Sequence, residues 1–287
     1  MFESLIMSML GQRMTWRVGR RLYCAARGDI GIDIRSDGEL MVQRQVLAAW
    51  DSVHPPAEGL VVFDVGANVG DWSVAMLDLC QDRSLADCRL YAFEPVSSTF
   101  SAYSSRIAAH RLGRAVTSER TAMSAKEGSA KITVLRDNAG TNSLHIVPTG
   151  QTGRVEEVTL TTVDSYCARH GIATIHLLKI DTEGHDMEVL RGAIGMISSG
   201  TVRVIQFEYS HLWVAARDFL KDVFDLVEGL PYYVGKPQPD HVIVYREWHP
   251  ELERFFAGNY LLIHESAIPW FSVRHARPDH SNVFVEC

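Results

Sequence analysis

Several features that would assign this chain to a familiar class are missing from its 287 residues. No run of about 18 apolar residues occurs, so the sequence predicts no helix that spans a bilayer. The five cysteines form no Cys-x-x-Cys pair and their count is odd, which argues against a disulfide framework and favours reduced thiols in a cytoplasmic protein. The chain has fewer basic than acidic residues: 28 Lys and Arg against 35 Asp and Glu, which gives a net charge of −7. An acidic chain is unsuited to wholesale binding of nucleic acid.

The N-terminus departs from this acidic balance. Glu3 is the only acid among the first 28 residues, which carry five arginines and a net charge of +4, so the remainder carries −11. We expect a helix there that packs an apolar stripe on the parent domain with its arginines outward. Contact with an anionic membrane surface is the alternative, and a transit peptide fits loosely. The stripe consists of Phe2, Leu5, Ile6, Met9 and Leu10.

From residue 57 onwards, short apolar runs alternate with helical patterns. The runs Leu60–Asp64, Arg89–Glu94 and Ile175–Asp181 are typical of strands buried on both faces. Strands that alternate with helices indicate parallel βαβ units and therefore an α/β fold. We predict an N-terminal helical extension over residues 1–56 and an α/β domain over residues 57–287.

The sharpest motif is DVGANVGD, which begins at Asp64 at the end of the first buried run. Gly66 allows a tight turn, and Gly70 allows the following helix to come close. Ligands of open α/β sheets bind beyond the carboxyl ends of the strands. The dinucleotide fingerprint G-x-G-x-x-G is incomplete, because Asn68 and Asp71 replace its last two glycines, and an acid at a helix N-terminus opposes a pyrophosphate. A zwitterion such as S-adenosylmethionine fits better, with Asp64 and Asp71 facing its cationic part.

Two further groups of polar residues follow buried runs. Glu94 ends the second run, where a carboxylate can accept hydrogen bonds from both hydroxyls of a ribose. The segment LKIDTEGHD, residues 178–186, crowds ionisable groups at the end of a strand and the start of a helix. Helix capping accounts for one or two of them, but not for a lysine inside an apolar strand. The candidate catalytic residues here are Lys179, Asp181, Glu183 and His185.

Within that segment, Asp181 and His185 are the candidate bases, because a carboxylate and an imidazole can each accept a proton from a reacting group. Glu208 ends a neighbouring apolar run and would bring a second oxygen ligand beside Asp181. A Mg²⁺ ion shared by these two carboxylates is therefore an open alternative. Metal independence is favoured, because three certain ligands cannot be read from the sequence.

Together these motifs resemble the FkbM family of S-adenosylmethionine-dependent methyltransferases. The resemblance implies a Rossmann-like methyltransferase fold with a seven-stranded, mostly parallel sheet, a C-terminal antiparallel hairpin and an N-terminal helical cap. It also implies that Gly66, Asn68, Gly70 and Glu94 hold the cofactor. Ala122 and Ser124 would lie near the adenine. The matching segments are DVGANVGDWS from Asp64, YAFEP from Tyr91, TAMS from Thr121, GTNSL from Gly140, VTLTTVDSY from Val158, LLKIDTEGHDMEVLRGA from Leu177 and IQFEYS from Ile205.

The family resemblance implies methylation of a hydroxyl oxygen on a sugar, glycan or natural product. A nicotinamide-dependent oxidoreductase is one alternative, disfavoured by the missing third glycine. A non-catalytic module of the same fold is another, disfavoured because the motif residues are all present. We expect the polar loop Asp137–Gln151 and the N-terminal segment to shape the acceptor site, since loops carry specificity on such scaffolds.

Overall fold

The computed structural model describes residues 2–29, 38–52, 59–85, 87–134 and 153–286. The α-helices of this described part are α1 Phe2–Ala26, α2 Glu39–Ser52, α3 Asp71–Asp82, α4 Ser97–Ala108, α5 Val163–His170, α6 Asp186–Arg191, α7 Ile194–Ser198, α8 Trp213–Ala216 and α9 Leu220–Leu226. Its strands are β1 Leu60–Val65, β2 Cys88–Phe93, β3 Val116–Glu119, β4 Ala122–Met123, β5 Gly128–Val134, β6 Arg154–Thr161, β7 Ile175–Ile180, β8 Val202–Tyr209, β9 Tyr232–Pro237, β10 Val242–Tyr245, β11 Gly258–His264, β12 Val273–Pro278 and β13 Phe284–Glu286. Short 3₁₀ turns lie at Gly113–Ala115, Pro250–Leu252 and Glu265–Trp270.

The larger of two sheets has the strand order β13-β12-β10-β9-β11-β8-β7-β1-β2-β3. The half from β8 to β3 is parallel throughout. Strand β11 is antiparallel to both of its neighbours, β8 and β9, and β10 is antiparallel to β9. A smaller sheet has the order β4-β6-β5. The carboxyl ends of β1, β2, β7 and β8 therefore meet at one edge, where side chains from distant parts of the sequence come together.

The α/β class and the mostly parallel centre of the sheet are as predicted, but the strand count is not. The order β3-β2-β1-β7-β8-β11-β9 accounts for seven strands, and β10, β12 and β13 extend the sheet to ten. The predicted closing hairpin is not confirmed either, because β11 enters between β8 and β9. Sequence periodicity reveals extended segments, whereas their neighbours are chosen by contacts between distant residues.

Both faces of the central strands are covered, which explains their continuous apolar sequence. Phe63 and Leu178 contribute to a core with α5 and α6, and Val62 and Leu177 to a core on the opposite face with α3 and α4. Helix α2 belongs to the second core, since its apolar residues pack there with the sheet. The predicted domain boundary at residue 56 lies outside the described residues.

None of the described side chains of helix α1 joins either core. From Met7 to Ala26 every residue is exposed except Thr15 and Cys24, which are half-buried. The helix is interrupted at Gly11, whose backbone adopts φ 67° and ψ 161°. The expectation that its apolar side chains pack on the parent domain is therefore wrong for this stretch. Within the described part of the chain, no helix is long and apolar enough to cross a membrane.

Candidate active site

A pocket opens at the shared carboxyl edge of β1, β2 and β7. The empty space within it, including the part open to solvent, is about 650 Å³. Three stretches that follow these strands contribute to its walls, at residues 65–68, 93–96 and 181–185. Residues of β4 and β5 complete the enclosure. The position agrees with the rule that open α/β sheets bind ligands at this edge.

The turn after β1 requires its glycines. Gly66 has φ +78°, and a Cβ atom there would lie 1.8 Å from the carbonyl oxygen of Asp181. Its amide donates to the carbonyl of Phe93 at 2.9 Å, so this turn touches the ends of both neighbouring strands. Gly70 has φ +90°, and a Cβ there would lie 3.0 Å from the ring of Tyr103. Side chains at either position would push apart the elements that form the pocket.

Glu94 connects the end of β2 to the glycine turn. One of its carboxylate oxygens accepts a hydrogen bond from the amide of Asn68 at 3.0 Å, and the other accepts from the amide of Val96 at 2.9 Å. The side chain is buried, and this burial raises its pKa to about 7 against the opposing effect of the two amides. Each oxygen keeps a lone pair for a ligand. Glu94 therefore lines the pocket where the sequence places it.

The structure does not support the predicted contact of Asp64 and Asp71 with a cationic ligand. Asp64 is fully buried, and the hydroxyl of Ser73 in α3 donates to it at 2.6 Å. Burial raises the pKa of Asp64 to about 6, while the nearby Lys179 charge and the Ser73 hydroxyl oppose that rise. Asp71 is exposed and pairs with Arg106 at 2.6 Å. Neither aspartate lines the pocket, because the alternation of β1 directs Asp64 to the face that α3 covers.

Asp181 and Lys179 form an ion pair at the end of β7, with Nζ of Lys179 at 2.9 Å from Oδ2 of Asp181. The lysine side chain is only 5% exposed, whereas that of Asp181 is 38% exposed and lines the pocket. Burial disfavours the lysine charge, but Asp181, Glu39 and Asp64 together raise the pKa of Lys179. A buried cation thus stands directly behind an accessible carboxylate. Removing Lys179 would leave Asp181 without this partner, and removing Asp181 would leave the buried lysine with only Glu39 and Asp64 nearby.

The loop after Asp181 carries two more of the predicted residues. Glu183 adopts φ +54° and is half-buried, and burial with the charges of Asp181 and Asp186 raises its pKa to about 8. His185 is buried, and its Nε2 lies 3.0 Å from the hydroxyl of Ser124. Both Glu183 and His185 line the pocket. Ser124 thus contributes by fixing the histidine ring.

The structure adds residues that the sequence did not single out. Asp186 is fully buried, and its Oδ2 accepts from the amide of Gly184 at 3.2 Å and the hydroxyl of Thr182 at 3.1 Å, so it shapes the loop. An apolar wall faces the carboxylates, and of its members the sequence predicted only Ala122. It consists of Phe93, Val96, Ala122, Met123 and Ile132. A hydrophobic residue in a strand gives no local sign that it lines a pocket rather than a core.

Glu208 at the end of β8 does not complete a metal site. Its pKa is raised to about 9 by burial and by the charges of Asp181, Asp186 and Glu183, which favours the protonated form at neutral pH. In the ranges that the structure describes, no group of three or more His, Cys, Asp or Glu residues is arranged to hold a metal ion. The magnesium alternative therefore gains no support from the geometry.

Comparison with solved structures finds several methyltransferases. The methyltransferase FkbM from Methylobacillus flagellatus KT shares 13% identity at a TM-score of 0.44, over 77% of this chain and 48% of that one. WbdD shares 13% identity at a TM-score of 0.42, over 82% of this chain and 41% of that one. The chain thus spans about half the length of these proteins or less. At TM-scores below 0.5, the likenesses carry no argument about function.

Comparison with curated proteins yields no significant match. Comparison with family profiles matches residues 64–244 to the methyltransferase FkbM domain. The matched region is more than half of the chain, and it runs from the end of β1 into β10. It contains the glycine turn, Glu94 and the whole segment from Lys179 to His185. The protein therefore belongs to the FkbM family of methyltransferases.

Proposed function

We propose that the protein transfers the methyl group of S-adenosylmethionine to a hydroxyl oxygen of a sugar, glycan or natural-product acceptor. The observation that carries this proposal is the acidic lining of the pocket. Glu94, Asp181 and Glu183 line it, and among the described residues no lysine or arginine does. Carboxyl groups suit a sulfonium and an ammonium group, whereas the pyrophosphate of a nicotinamide cofactor would find no basic side chain there. The family implies the same cofactor.

The pocket also offers the contacts that the rest of this cofactor requires. Glu94 retains a lone pair on each oxygen, which suits the two hydroxyls of a ribose. The side-chain oxygen of Asn68 is buried without a hydrogen-bond partner in the described part of the chain, so a donor of the ligand would satisfy it. Phe93, Met123 and Ile132 provide an apolar surface for an adenine ring. The residues present therefore fit the cofactor.

When bound, the cofactor supplies an electrophilic methyl group. An acceptor hydroxyl must lose its proton as its oxygen attacks, and we assign Asp181 as the base that accepts this proton. Its carboxylate is accessible from the pocket, and the ion pair with Lys179 fixes its position. Lys179 is a positioning residue, since it does not line the pocket. His185 is a weaker candidate for the base, because its Nε2 is already engaged by Ser124.

The carboxylates of Asp181 and Glu183 also suit an acceptor with several hydroxyl groups, because each accepts hydrogen bonds. The loop that the sequence predicts at the acceptor site, Asp137–Gln151, lies outside the described residues. Because that loop is not described, a screen is needed to identify the acceptor.

We also propose a cytoplasmic location, because the five cysteines favour reduced thiols.

Calorimetry with S-adenosylmethionine, S-adenosylhomocysteine and NAD tests the cofactor. We expect micromolar binding of the first two and no binding of NAD. A screen of hydroxylated acceptors with radiolabelled methyl donor, each paired with its deoxy analogue, then tests the reaction. Label transfer only to the hydroxylated member of a pair supports O-methylation. If the protein binds neither S-adenosylmethionine nor S-adenosylhomocysteine, the proposal is wrong.

A further inference from the structure

More than half of the exposed large hydrophobic side chains in the described part of the chain belong to α1. Met9 is 76% exposed, Trp16 62% and Leu22 66%. Soluble proteins seldom leave so much apolar surface together, and such a patch marks an interaction site. The other members of this group in α1 are Met7, Leu10, Met14, Val18 and Tyr23.

The part of α1 that follows the interruption at Gly11 separates its charge from its apolar surface. At about 100° per residue, the arginines of this part fall within an arc of about 100° of the circumference. The large apolar side chains lie outside this arc, together with small residues and Gln12. No acidic residue occurs between Gly11 and Ala26. This pattern is typical of helices that lie in the plane of a membrane surface. The arginines are Arg13, Arg17, Arg20 and Arg21.

Among the described residues, the contacts between α1 and the rest of the molecule lie at the C-terminal end of the helix. The ring of Tyr23 packs edge-on against Phe256 at 6.4 Å, and the guanidinium of Arg20 lies 4.4 Å from the centre of the same ring. Just after the helix, Arg27 pairs with Glu251 at 2.8 Å. Within the described residues, the other three arginines of the basic arc form no ion pair. The attachment therefore holds the helix while its apolar and basic surfaces stay available.

We infer that α1 is a docking surface for an anionic lipid membrane. The charge distribution selects this partner, since residues 1–28 carry +4 and the remainder −11. Anionic headgroups attract the arginines of α1 and repel the acidic body, so the helix is the part of the molecule that meets the lipid. Its apolar side chains then enter the boundary between headgroups and acyl chains.

The attachment point of α1 lies near the edge of the sheet that holds the pocket. Phe256 lies just before β11, whose first residue Gly258 is paired with Tyr209 at the carboxyl end of β8. Docking through α1 would therefore tether that edge to the lipid surface. The acceptor hydroxyl would then be carried on a membrane-anchored molecule, a step that rests on the proposed function.

Co-sedimentation of the full chain with vesicles tests the docking. We expect binding to vesicles that contain phosphatidylglycerol, release at high salt, and little binding to pure phosphatidylcholine. The variant R13Q/R17Q/R21Q leaves the Arg20 contact intact and should lower the affinity at least about tenfold. The variant W16S/L22S should weaken binding to a similar degree.

Matched controls remove the same groups from elsewhere on the surface. R111Q/R114Q/R277Q removes three exposed arginines, and V155S/V214S removes two exposed apolar side chains, so both should bind vesicles as the wild type does. Wild-type protein that ignores anionic vesicles, or a triple arginine variant that binds unchanged, overturns the inference. If the wild type does not bind vesicles but forms a dimer, and W16S/L22S is a monomer, then the partner of α1 is a second copy of the chain and the inference is wrong. Vesicle binding without cofactor binding leaves the docking intact and defeats the proposed function.

Discussion

The two walls of the pocket are built on different physical grounds. The wall formed by the glycine turn and Glu94 depends on backbone geometry, since Gly66 leaves no room for a side chain and Glu94 is held by amides. The adjoining wall, which follows β7, depends on charge, since the buried Lys179 pairs with the accessible carboxylate of Asp181 beside Glu183, whose pKa is raised. The first wall is suited to hold a ligand in one position. The second is suited to move a proton.

Replacing Gly66 by alanine should have the largest effect, because the new Cβ would lie 1.8 Å from the carbonyl oxygen of Asp181. We expect loss of cofactor binding and a destabilisation of about 3 kcal/mol or more, from overpacking added to the strain of a positive φ. Calorimetry and thermal unfolding measure both. Gly171→Ala is the control, since it shares a positive φ (+64°) but meets no atom within 4 Å. Equal behaviour of the two variants would show that the close approach has no role.

Asp181→Asn keeps the shape of the second wall and removes its accessible charge. We expect turnover at saturating cofactor to fall about 100-fold or more, the scale of lost general-base catalysis, while cofactor affinity falls by a much smaller factor because Glu94 and the glycine turn are intact. Steady-state kinetics and calorimetry separate the two quantities. Asp71→Asn is the control, because that carboxylate is exposed and paired with Arg106 outside the pocket. Turnover near the wild-type value in Asp181→Asn would place the base elsewhere.

Glu94→Ala should affect binding rather than turnover at saturating cofactor. Loss of the ribose contacts and of the two amide partners should weaken cofactor binding by about 1–3 kcal/mol. Calorimetry checks the affinity, and thermal unfolding checks that the fold persists. Glu119→Ala, at the end of the next strand β3, should bind the cofactor as the wild type does. If Glu94→Ala binds the cofactor with unchanged affinity, Glu94 has only a structural role, as the acceptor of hydrogen bonds from the amides of Asn68 and Val96.

The smallest expected effect concerns Glu208. Its pKa in the folded protein is raised to about 9, above the value of 4.5 that an unperturbed glutamate has. The folded state therefore binds more protons, so this group favours folding at low pH and that contribution is lost as the pH rises from about 4.5 to about 9. Glu208→Gln should raise the melting temperature by a few degrees at pH 9 and change it little at pH 4. The exposed Glu228→Gln should give no such pH-dependent difference.

The wall that follows β7 shows how much of the site can be predicted from the sequence. Ionisable residues are unusual at the end of an apolar strand, and this predicts the candidate residues Lys179, Asp181, Glu183 and His185. The sequence does not show which of them is the accessible base and which are positioning residues. That distinction follows from the ion pair between Lys179 and Asp181 and from the contact of His185 with Ser124, 61 residues away in the chain. Asp186 is absent from the predicted catalytic residues, because in sequence a buried aspartate that accepts loop hydrogen bonds resembles a residue favoured by the helix dipole.

The sequence by itself determined the local elements: the buried runs that became β1, β2 and β7, the glycine turn, and the helical spacing and basic charge of α1. These follow from the periodicity of neighbouring residues and from the backbone conformations that glycine allows. The tertiary structure alone decided that β11 enters between β8 and β9, that Asp64 faces α3 rather than the pocket, and that the apolar side chains of α1 from Met7 onwards are exposed in the described part of the chain. Strand neighbours and covered faces depend on contacts between residues far apart in the chain, for which a local pattern contains no information.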